Sequence, residues 1–226
     1  MITYGAYIFD LDGTLLDTLG DLAASVNYSL RTHGMPEHSI DDVRRFVGNG
    51  VRKLMERAIP DGASNPDFEA TFATFRQHYM AHSLDTTKPY DGIPEMLEAL
   101  KAKGCRLAVV SNKMMAATQE LCRHFFPDTI EVAIGEDEAH GIRKKPAPDT
   151  VFAAMKALGC PSLTGEDRGG YSAVYVGDSD VDIDTAANAG LPCISVLWGF
   201  RDRDFLVRHG AKTFISAPHE LFLPCS

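Results

Sequence analysis

Short apolar segments alternate with amphipathic segments along most of the chain. Five apolar runs, rich in β-branched and aromatic residues, begin near Tyr4, Arg106, Ile130, Ala173 and Cys193, and each ends at polar residues or glycine. Such near-continuous runs are typical of strands buried on both faces, and apolar residues recur at helical spacing between them. The pattern predicts an α/β core, a Rossmann-like doubly wound parallel sheet covered by helices.

The segment 17–85 breaks this alternation because it contains only helical patterns. One apolar stripe runs from Leu19 to Leu30 and a second from Phe68 to Tyr79, begun by Asn65 and Pro66 as cap and first turn. We therefore expect a small all-helical cap domain at 17–85, inserted after the first strand. The core domain then comprises 1–16 and 86–226.

Composition and charge indicate the cell compartment of the protein and disfavour some classes of partner. The formal net charge of −9 disfavours a nucleic-acid partner, and the five scattered cysteines favour a reducing compartment. No run approaches the roughly 20 apolar residues that cross a bilayer. We expect a cytoplasmic protein, monomeric or homodimeric, with neither nucleic acid nor membrane as a partner.

Two aspartates follow the first predicted strand directly. Asp10 and Asp12 are two residues apart, so in an extended chain their side chains point to the same side. One carboxylate there can attack phosphorus as a nucleophile, and the other can donate and accept the proton. Gly13 allows a sharp turn and Thr14 offers a hydroxyl to a phosphate. An ordinary acidic turn is the alternative interpretation.

A second acidic segment, from Gly177 to Asp182, follows another apolar strand. It is not a calcium loop of the EF-hand type, because Ile183 and Ala189 stand where such a loop requires glycine and glutamate. Asp178 and Asp182 instead suit a Mg²⁺ ion that also takes oxygens from a phosphate. A magnesium cofactor is therefore predicted.

Two further residues are candidates for binding the phosphoryl group. Ser111 ends the second strand of the predicted core, and Lys145 precedes a proline at a helix start, where lysine and helix dipole would both attract phosphate. Lys144 is an alternative to Lys145. Two other classes of phosphate-binding enzyme are disfavoured because their motifs are absent. The sequence contains neither the Cys-x5-Arg loop of thiol phosphatases nor the Gly-x4-Gly-Lys-Ser/Thr loop that binds nucleotide phosphates.

Taken in order, these residues resemble the four motifs of the haloacid dehalogenase superfamily. The motifs here are Asp10 to Thr18, Ser111-Asn112, Lys145-Pro146, and Gly177 to Asp182. The resemblance implies a magnesium-dependent phosphatase that forms an aspartyl phosphate on Asp10, with Asp12 as acid and base. It implies Asp10, Asp12 (through its carbonyl), Asp178 and Asp182 at the metal site, and Thr14, Ser111, Asn112 and Lys145 at the phosphate.

Other stretches are similar to bacterial phosphoglycolate phosphatases, namely Phe46 to Gly50, Pro89 to Gly92 and Trp198 to Phe200. This similarity implies a small phosphorylated metabolite as the substrate, with 2-phosphoglycolate first, and a cap that closes over it. The candidate specificity residues are Arg45, Gly48, Asn49, Gly50 and Lys53. A sugar-phosphate phosphatase, a phosphomutase similar to β-phosphoglucomutase, and a pyrophosphatase of the same family are the alternatives.

Overall fold

The computed structural model describes residues 4–160 and 172–222. The chain forms two compact units, one of Met1–Leu15 with Pro89–Ser226 and one of Leu16–Lys88. The predicted cap, 17–85, falls within the second unit. Among the described residues no helix has both the length and the apolar character needed to span a membrane. Cys225 lies outside the described residues.

The first unit is built on a parallel sheet. The strands of the chain are β1 (Ala6–Phe9), β2 (Leu16–Asp17), β3 (Lys88–Pro89), β4 (Arg106–Met114), β5 (Val132–Glu136), β6 (Ala173–Gly177), β7 (Cys193–Val196) and β8 (Thr213–Ile215). Six of them form one sheet in the order β5-β4-β1-β6-β7-β8, with every neighbouring pair parallel. The predicted doubly wound fold is confirmed, and β8 is a strand that the sequence pattern did not predict.

Helices alternate with the strands in the first unit and make up most of the second. They are α1 (Leu19–Thr32), α2 (Ile40–Phe46), α3 (Val51–Ala58), α4 (Phe68–His82), α5 (Ile93–Ala102), α6 (Met115–Phe125), α7 (Asp149–Ala157), α8 (Asp180–Ala189) and α9 (Arg203–Arg208). Since β1 lies between β4 and β6, the ends of three strands separated by long stretches of sequence are neighbours.

The core of the first unit lies between the sheet and its helices. Ile8, Val110 and Tyr175 on three neighbouring strands pack in one cluster with Val151 of α7 and Ala186 of α8. All five are fully buried. Because each large apolar side chain contributes about 1.5–3 kcal/mol on burial, this cluster holds the ends of the strands in fixed positions.

The second unit is held by the two stripes that the sequence predicted. Leu22 and Leu30 of α1 are buried, as are Phe75 and Tyr79 of α4. The start of α4 differs from the prediction, because Asp67 is the residue that precedes the first turn. Asn65 instead accepts a hydrogen bond from the Asp67 N–H at 2.9 Å, a turn that places Pro66 outside the helix.

A buried carboxylate ties together the two ends of this unit. Asp21, in the first turn of α1, accepts hydrogen bonds from the backbone N–H and hydroxyl of Thr86 and of Thr87 at 2.5–2.9 Å. Asp21 is 2 % exposed. Four donors compensate the desolvation of its charge, so this residue fixes the segment that leads back to the first unit.

Candidate active site

The polar residues predicted to carry chemistry lie at the carboxyl edge of the sheet in the first unit. Asp10 directly follows β1, and its backbone N–H donates to the Val176 carbonyl of β6 at 2.9 Å. Asp178 directly follows β6. On the other side, Ser111 lies in β4, where pairing with β5 changes register between Val110 and Met114. Such an irregularity redirects side chains, and here it precedes α6.

Lys145 joins two of the carboxylates at this edge. Its Nζ donates to Asp10 Oδ1 at 2.6 Å and to Asp182 Oδ1 at 2.7 Å. It also lies 3.1 Å from the Tyr175 hydroxyl. Lys145 is 4 % exposed, whereas Lys144, the alternative, is exposed. Lys145 is therefore the lysine that the fold brings to the site.

Both oxygens of Asp182 are fully used by neighbouring donors. Oδ1 accepts from Lys145 and, at 2.9 Å, from the Tyr175 hydroxyl. Oδ2 accepts from the Asp178 and Ser179 N–H groups at 3.2 and 3.1 Å and from the Ser179 hydroxyl at 2.6 Å. With five donors on a side chain of 0 % exposure, Asp182 fits a role in positioning Lys145 and the turn before α8.

Backbone that only glycine permits surrounds the Asp178 carboxylate. A Cβ at Gly13 or at Gly199 would lie 2.5 Å from Asp178 Oδ2, and that oxygen accepts the Phe200 N–H at 2.7 Å. The Thr14 hydroxyl points at the other oxygen, Oδ1, over 3.4 Å. Thr14 is thus directed towards this carboxylate, and its contact with phosphate stays a prediction.

Asp12 lies apart from this cluster. Its Oδ1 lies 3.3 Å from the Nζ of Lys113, and its side chain is 18 % exposed, against 9 % for Asp10. The two aspartates that the sequence places side by side therefore have different partners. Asp10 contacts Lys145, while Asp12 contacts a lysine that the sequence analysis did not identify.

The second motif contributes one side chain to the site and one to its support. Ser111 is 2 % exposed, and its Oγ accepts the Lys113 N–H at 3.1 Å, which leaves the hydroxyl proton to donate. The Asn112 side chain instead accepts from the Lys145 N–H at 2.6 Å and donates to the Lys145 carbonyl at 3.1 Å. Its amide thus holds the backbone of Lys145, so a contact of Asn112 with phosphate would need its backbone.

Burial and mutual repulsion dominate the ionisation of the cluster. Burial, and then the charge of Asp182, raise the pKa of Asp10 well above its usual range and that of Asp178 to about 7. Burial lowers the pKa of Lys145, but the ion pairs with Asp10 and Asp182 more than reverse this, so its pKa is raised. The lysine therefore stays charged. Its positive charge is not enough to offset the burial and mutual repulsion of the carboxylates, because the pKa values of Asp10 and Asp178 stay raised.

The same cluster fits a divalent cation. One oxygen from each of Asp10, Asp178 and Asp182 lies within 4.8 Å of the others. When ionised, these three carboxylates carry three negative charges, and Lys145 pairs with two of them, Asp10 and Asp182. Oxygen donors with this charge suit a hard cation such as Mg²⁺, and glycine at positions 13 and 199 leaves space for the Asp178 carboxylate.

Residues 7–196 match the haloacid dehalogenase-like hydrolases. The chain belongs to this family. It is 36% identical over 194 residues to a phosphoglycolate phosphatase of Aquifex aeolicus, covering 85% of this chain and 84% of the relative. An N-acetylmuramic acid 6-phosphate phosphatase of Pseudomonas aeruginosa is 30% identical over 219 residues, covering 96% and 92%.

A solved structure shares both units of the haloacid dehalogenase-like chain. A candidate phosphoglycolate phosphatase from Lactobacillus delbrueckii subsp. bulgaricus superposes with a TM-score of 0.89 at 35% identity, covering 97% of each chain. Family and relatives together make this chain a phosphatase, and its substrate a small phosphorylated compound.

The predicted specificity residues lie in the second unit, and most are engaged within it. Arg45 pairs with Asp42, and Lys53 Nζ lies 2.6 Å from Glu56 Oε2. Arg57 donates to the Asn49 side chain at 2.7 Å. Gly48 and Gly50 have φ of 125° and 84°, so this loop adopts backbone that favours glycine. Their part in selecting a substrate remains a prediction.

Sequence reasoning missed three contributors to the site. Tyr175 lies inside an apolar strand, where a tyrosine is typical of core packing. Lys113 stands two residues beyond Ser111, and that spacing on a strand was the signal that it shares a face with Ser111. Phe200 contributes its backbone N–H, which no side-chain pattern reveals.

Proposed function

We propose that this phosphatase hydrolyses 2-phosphoglycolate to glycolate and phosphate, using Mg²⁺ and a covalent aspartyl phosphate on Asp10. The observation that carries the proposal is the contact of Asp10 with Lys145 inside a cluster of three buried carboxylates. A nucleophile needs its attacking oxygen fixed, and Lys145 holds Oδ1 of Asp10. The second oxygen, Oδ2, is then the one that attacks.

Two displacements at phosphorus account for turnover. In the first, Asp10 Oδ2 forms a bond to phosphorus, the ester P–O bond breaks, and Asp12 gives its proton to the leaving oxygen. In the second, Asp12 takes a proton from water, the water oxygen bonds to phosphorus, and the Asp10–phosphorus bond breaks. Phosphate leaves and both aspartates return to their starting states.

The separation of Asp12 from the cluster supports its role as acid and base. Its carboxylate contacts Lys113 rather than Lys145, so it lies outside the group that holds the nucleophile. A proton donor must approach the leaving oxygen on the side of phosphorus opposite to the attack, because the two oxygens are roughly in line. Asp12 meets this need because it contacts Lys113, whereas Asp10 contacts Lys145.

Asp10, Asp178 and the backbone carbonyl of Asp12 would hold the magnesium ion. Bound Mg²⁺ would neutralise charge on the transferring phosphoryl oxygens. Ser111 and Lys145 would donate hydrogen bonds to the same group, with the Asn112 backbone as a further donor. Asp182 would act indirectly by fixing Lys145, since its own oxygens are already occupied.

The substrate assignment rests on the relatives. A phosphoglycolate phosphatase is 36% identical to this chain, and the phosphatase named for N-acetylmuramic acid 6-phosphate is 30% identical but covers more of it. Both compounds are phosphate monoesters that also carry a carboxylate. N-acetylmuramic acid 6-phosphate is accordingly the second candidate, and it represents the sugar-phosphate alternative.

Phosphate release from a panel of monoesters with Mg²⁺ tests the proposal. We expect the highest kcat/KM for 2-phosphoglycolate and no release by Asp10→Asn, which should retain the fold. Asp184→Asn, an exposed aspartate on α8, is the matched control and should retain full activity. Wild-type turnover by Asp10→Asn would refute the nucleophile, and a preference for N-acetylmuramic acid 6-phosphate would replace the substrate.

A further inference from the structure

Lys113 is a buried cation that takes no part in the two displacements at phosphorus. It is 6 % exposed, about as buried as Lys145 at 4 %. An ammonium group is expensive to remove from water unless nearby groups compensate it. Asp12 is one of the groups that compensate Lys113, so this charge lies beside the proposed acid and base.

The contact with Asp12 is a loose one. Lys113 Nζ and Asp12 Oδ1 are 3.3 Å apart, whereas a charged hydrogen bond of this type usually spans about 2.7–2.9 Å. Among the described residues, no group makes a hydrogen bond of normal geometry to that oxygen. The ammonium thus lies beside the acid and base without being committed to it through a close hydrogen bond.

Lys113 also lies on the same strand as the predicted phosphoryl ligand. Ser111 and Lys113 are two residues apart, both are buried, and the Lys113 N–H donates to Ser111 Oγ at 3.1 Å. Asn112, between them, turns its amide to the Lys145 backbone. If Ser111 holds the phosphoryl group of a substrate, the Lys113 ammonium would therefore lie near the part of the substrate that is esterified to that group.

We propose that Lys113 binds the substrate carboxylate and selects phosphate esters whose carboxylate is adjacent to the ester oxygen. This inference rests on the proposed function. In 2-phosphoglycolate a single methylene separates the carboxylate from the ester oxygen. Asp12 must come within about 2.6–3.2 Å of that oxygen to protonate it. The Lys113 ammonium, 3.3 Å from Asp12, is then next to the carboxylate of the substrate.

The same geometry separates the two candidate substrates. The carboxylate of N-acetylmuramic acid 6-phosphate belongs to a lactyl group on the far side of the sugar from the 6-phosphate, so it cannot reach a cation beside the leaving oxygen. Lys145 cannot serve this purpose either, because Asp10 and Asp182 bind it on the side of the nucleophile. Lys113 therefore favours a small 2-phospho acid.

The test compares two substrates of similar size in the magnesium-loaded enzyme. These are 2-phosphoglycolate and 2-hydroxyethyl phosphate, in which a neutral CH₂OH group replaces the carboxylate. For Lys113→Met we expect KM for 2-phosphoglycolate to rise about 10- to 100-fold, the equivalent of one charged hydrogen bond. KM for 2-hydroxyethyl phosphate should change less than about threefold, so the variant should lose its preference for 2-phosphoglycolate in KM. Lys113→Arg should retain much of the preference.

Lys156→Met, a change of the same kind at an exposed position on α7, is the control and should behave as wild type. Lys113→Gln, closer in shape, repeats the test if the methionine variant does not fold. An equal fall in kcat for both substrates with both KM values unchanged would show that Lys113 only positions Asp12 and would overturn the inference. So would a preference that Lys113→Met retains. A wild type without preference for 2-phosphoglycolate would overturn the proposed substrate itself.

Discussion

Replacing Asp182 with asparagine should weaken the fold of the core domain and not only its activity. The carboxylate accepts five hydrogen bonds, two on Oδ1 and three on Oδ2. Asparagine has nearly the same shape but offers only one acceptor oxygen. If that oxygen faces Lys145 and Tyr175, the amide N–H groups face the N–H groups of Asp178 and Ser179.

The cost follows from the donors that lose their acceptor. Two buried backbone N–H groups left unsatisfied cost about 1–3 kcal/mol each, and the Ser179 hydroxyl can turn to donate elsewhere. Removing one of three neighbouring carboxylates relieves repulsion with Asp10 and Asp178, which offsets about 1 kcal/mol. The expected net loss in the free energy of unfolding is therefore about 1–5 kcal/mol, with about 3 kcal/mol at the centre of that range.

Thermal unfolding of the metal-free protein measures this loss directly. For a chain of this length, 1 kcal/mol corresponds to roughly 2–4 °C, so Asp182→Asn should lower Tm by about 5–15 °C. Asp184→Asn is the matched control, because Asp184 lies on the same helix and is exposed. Its Tm should change by no more than about 2 °C. An Asp182→Asn Tm equal to wild type would refute the reasoning that these five bonds position the site.

Two further predictions concern the charges of each unit. Because burial raises the pKa of Asp178 to about 7, above its value of 3.8 when unfolded, the folded state binds the extra proton and loses stability as pH rises from about 4 to 7. Mg²⁺ needs the ionised form, so the rise in Tm on adding Mg²⁺ should be larger at pH 8 than at pH 5; a rise independent of pH would contradict this. In the second unit, Asp21→Ala removes the acceptor of four donors from Thr86 and Thr87 and should lower the free energy of unfolding by about 2–4 kcal/mol in urea, whereas the exposed Asp41→Ala should change it by less than about 0.5 kcal/mol.

The sequence predicted well those features that depend on order along the chain. Asp10 and Asp178 each follow an apolar strand, and parallel strands end at one edge, so their meeting could be expected before the structure was known. The stripe of α1 was predicted for the same reason, since periodicity is a local property. The short strand β8 has only three residues, too few for a pattern.

The features that escaped prediction depend on partners distant in sequence. The Thr14 hydroxyl points at Asp178, 164 positions away, so nothing near Thr14 could indicate its direction. Lysine is usually a surface residue, but Lys113 is buried, and it lies in the part of β4 where pairing with β5 changes register. Tyr175 is indistinguishable from a core aromatic until Asp182 and Lys145 are placed beside its hydroxyl.

The two aspartates of the first motif show how a fold gives identical side chains different tasks. Asp10 lies among carboxylates with Lys145 on one of its oxygens, an arrangement that fixes an attacking oxygen and provides for a cation. Asp12, two residues on, is more exposed and contacts Lys113. Nucleophile and proton carrier must differ in surroundings to act in sequence on one phosphorus. The sheet supplies that difference, because β6 and α8 enclose Asp10 while the end of β4 reaches Asp12.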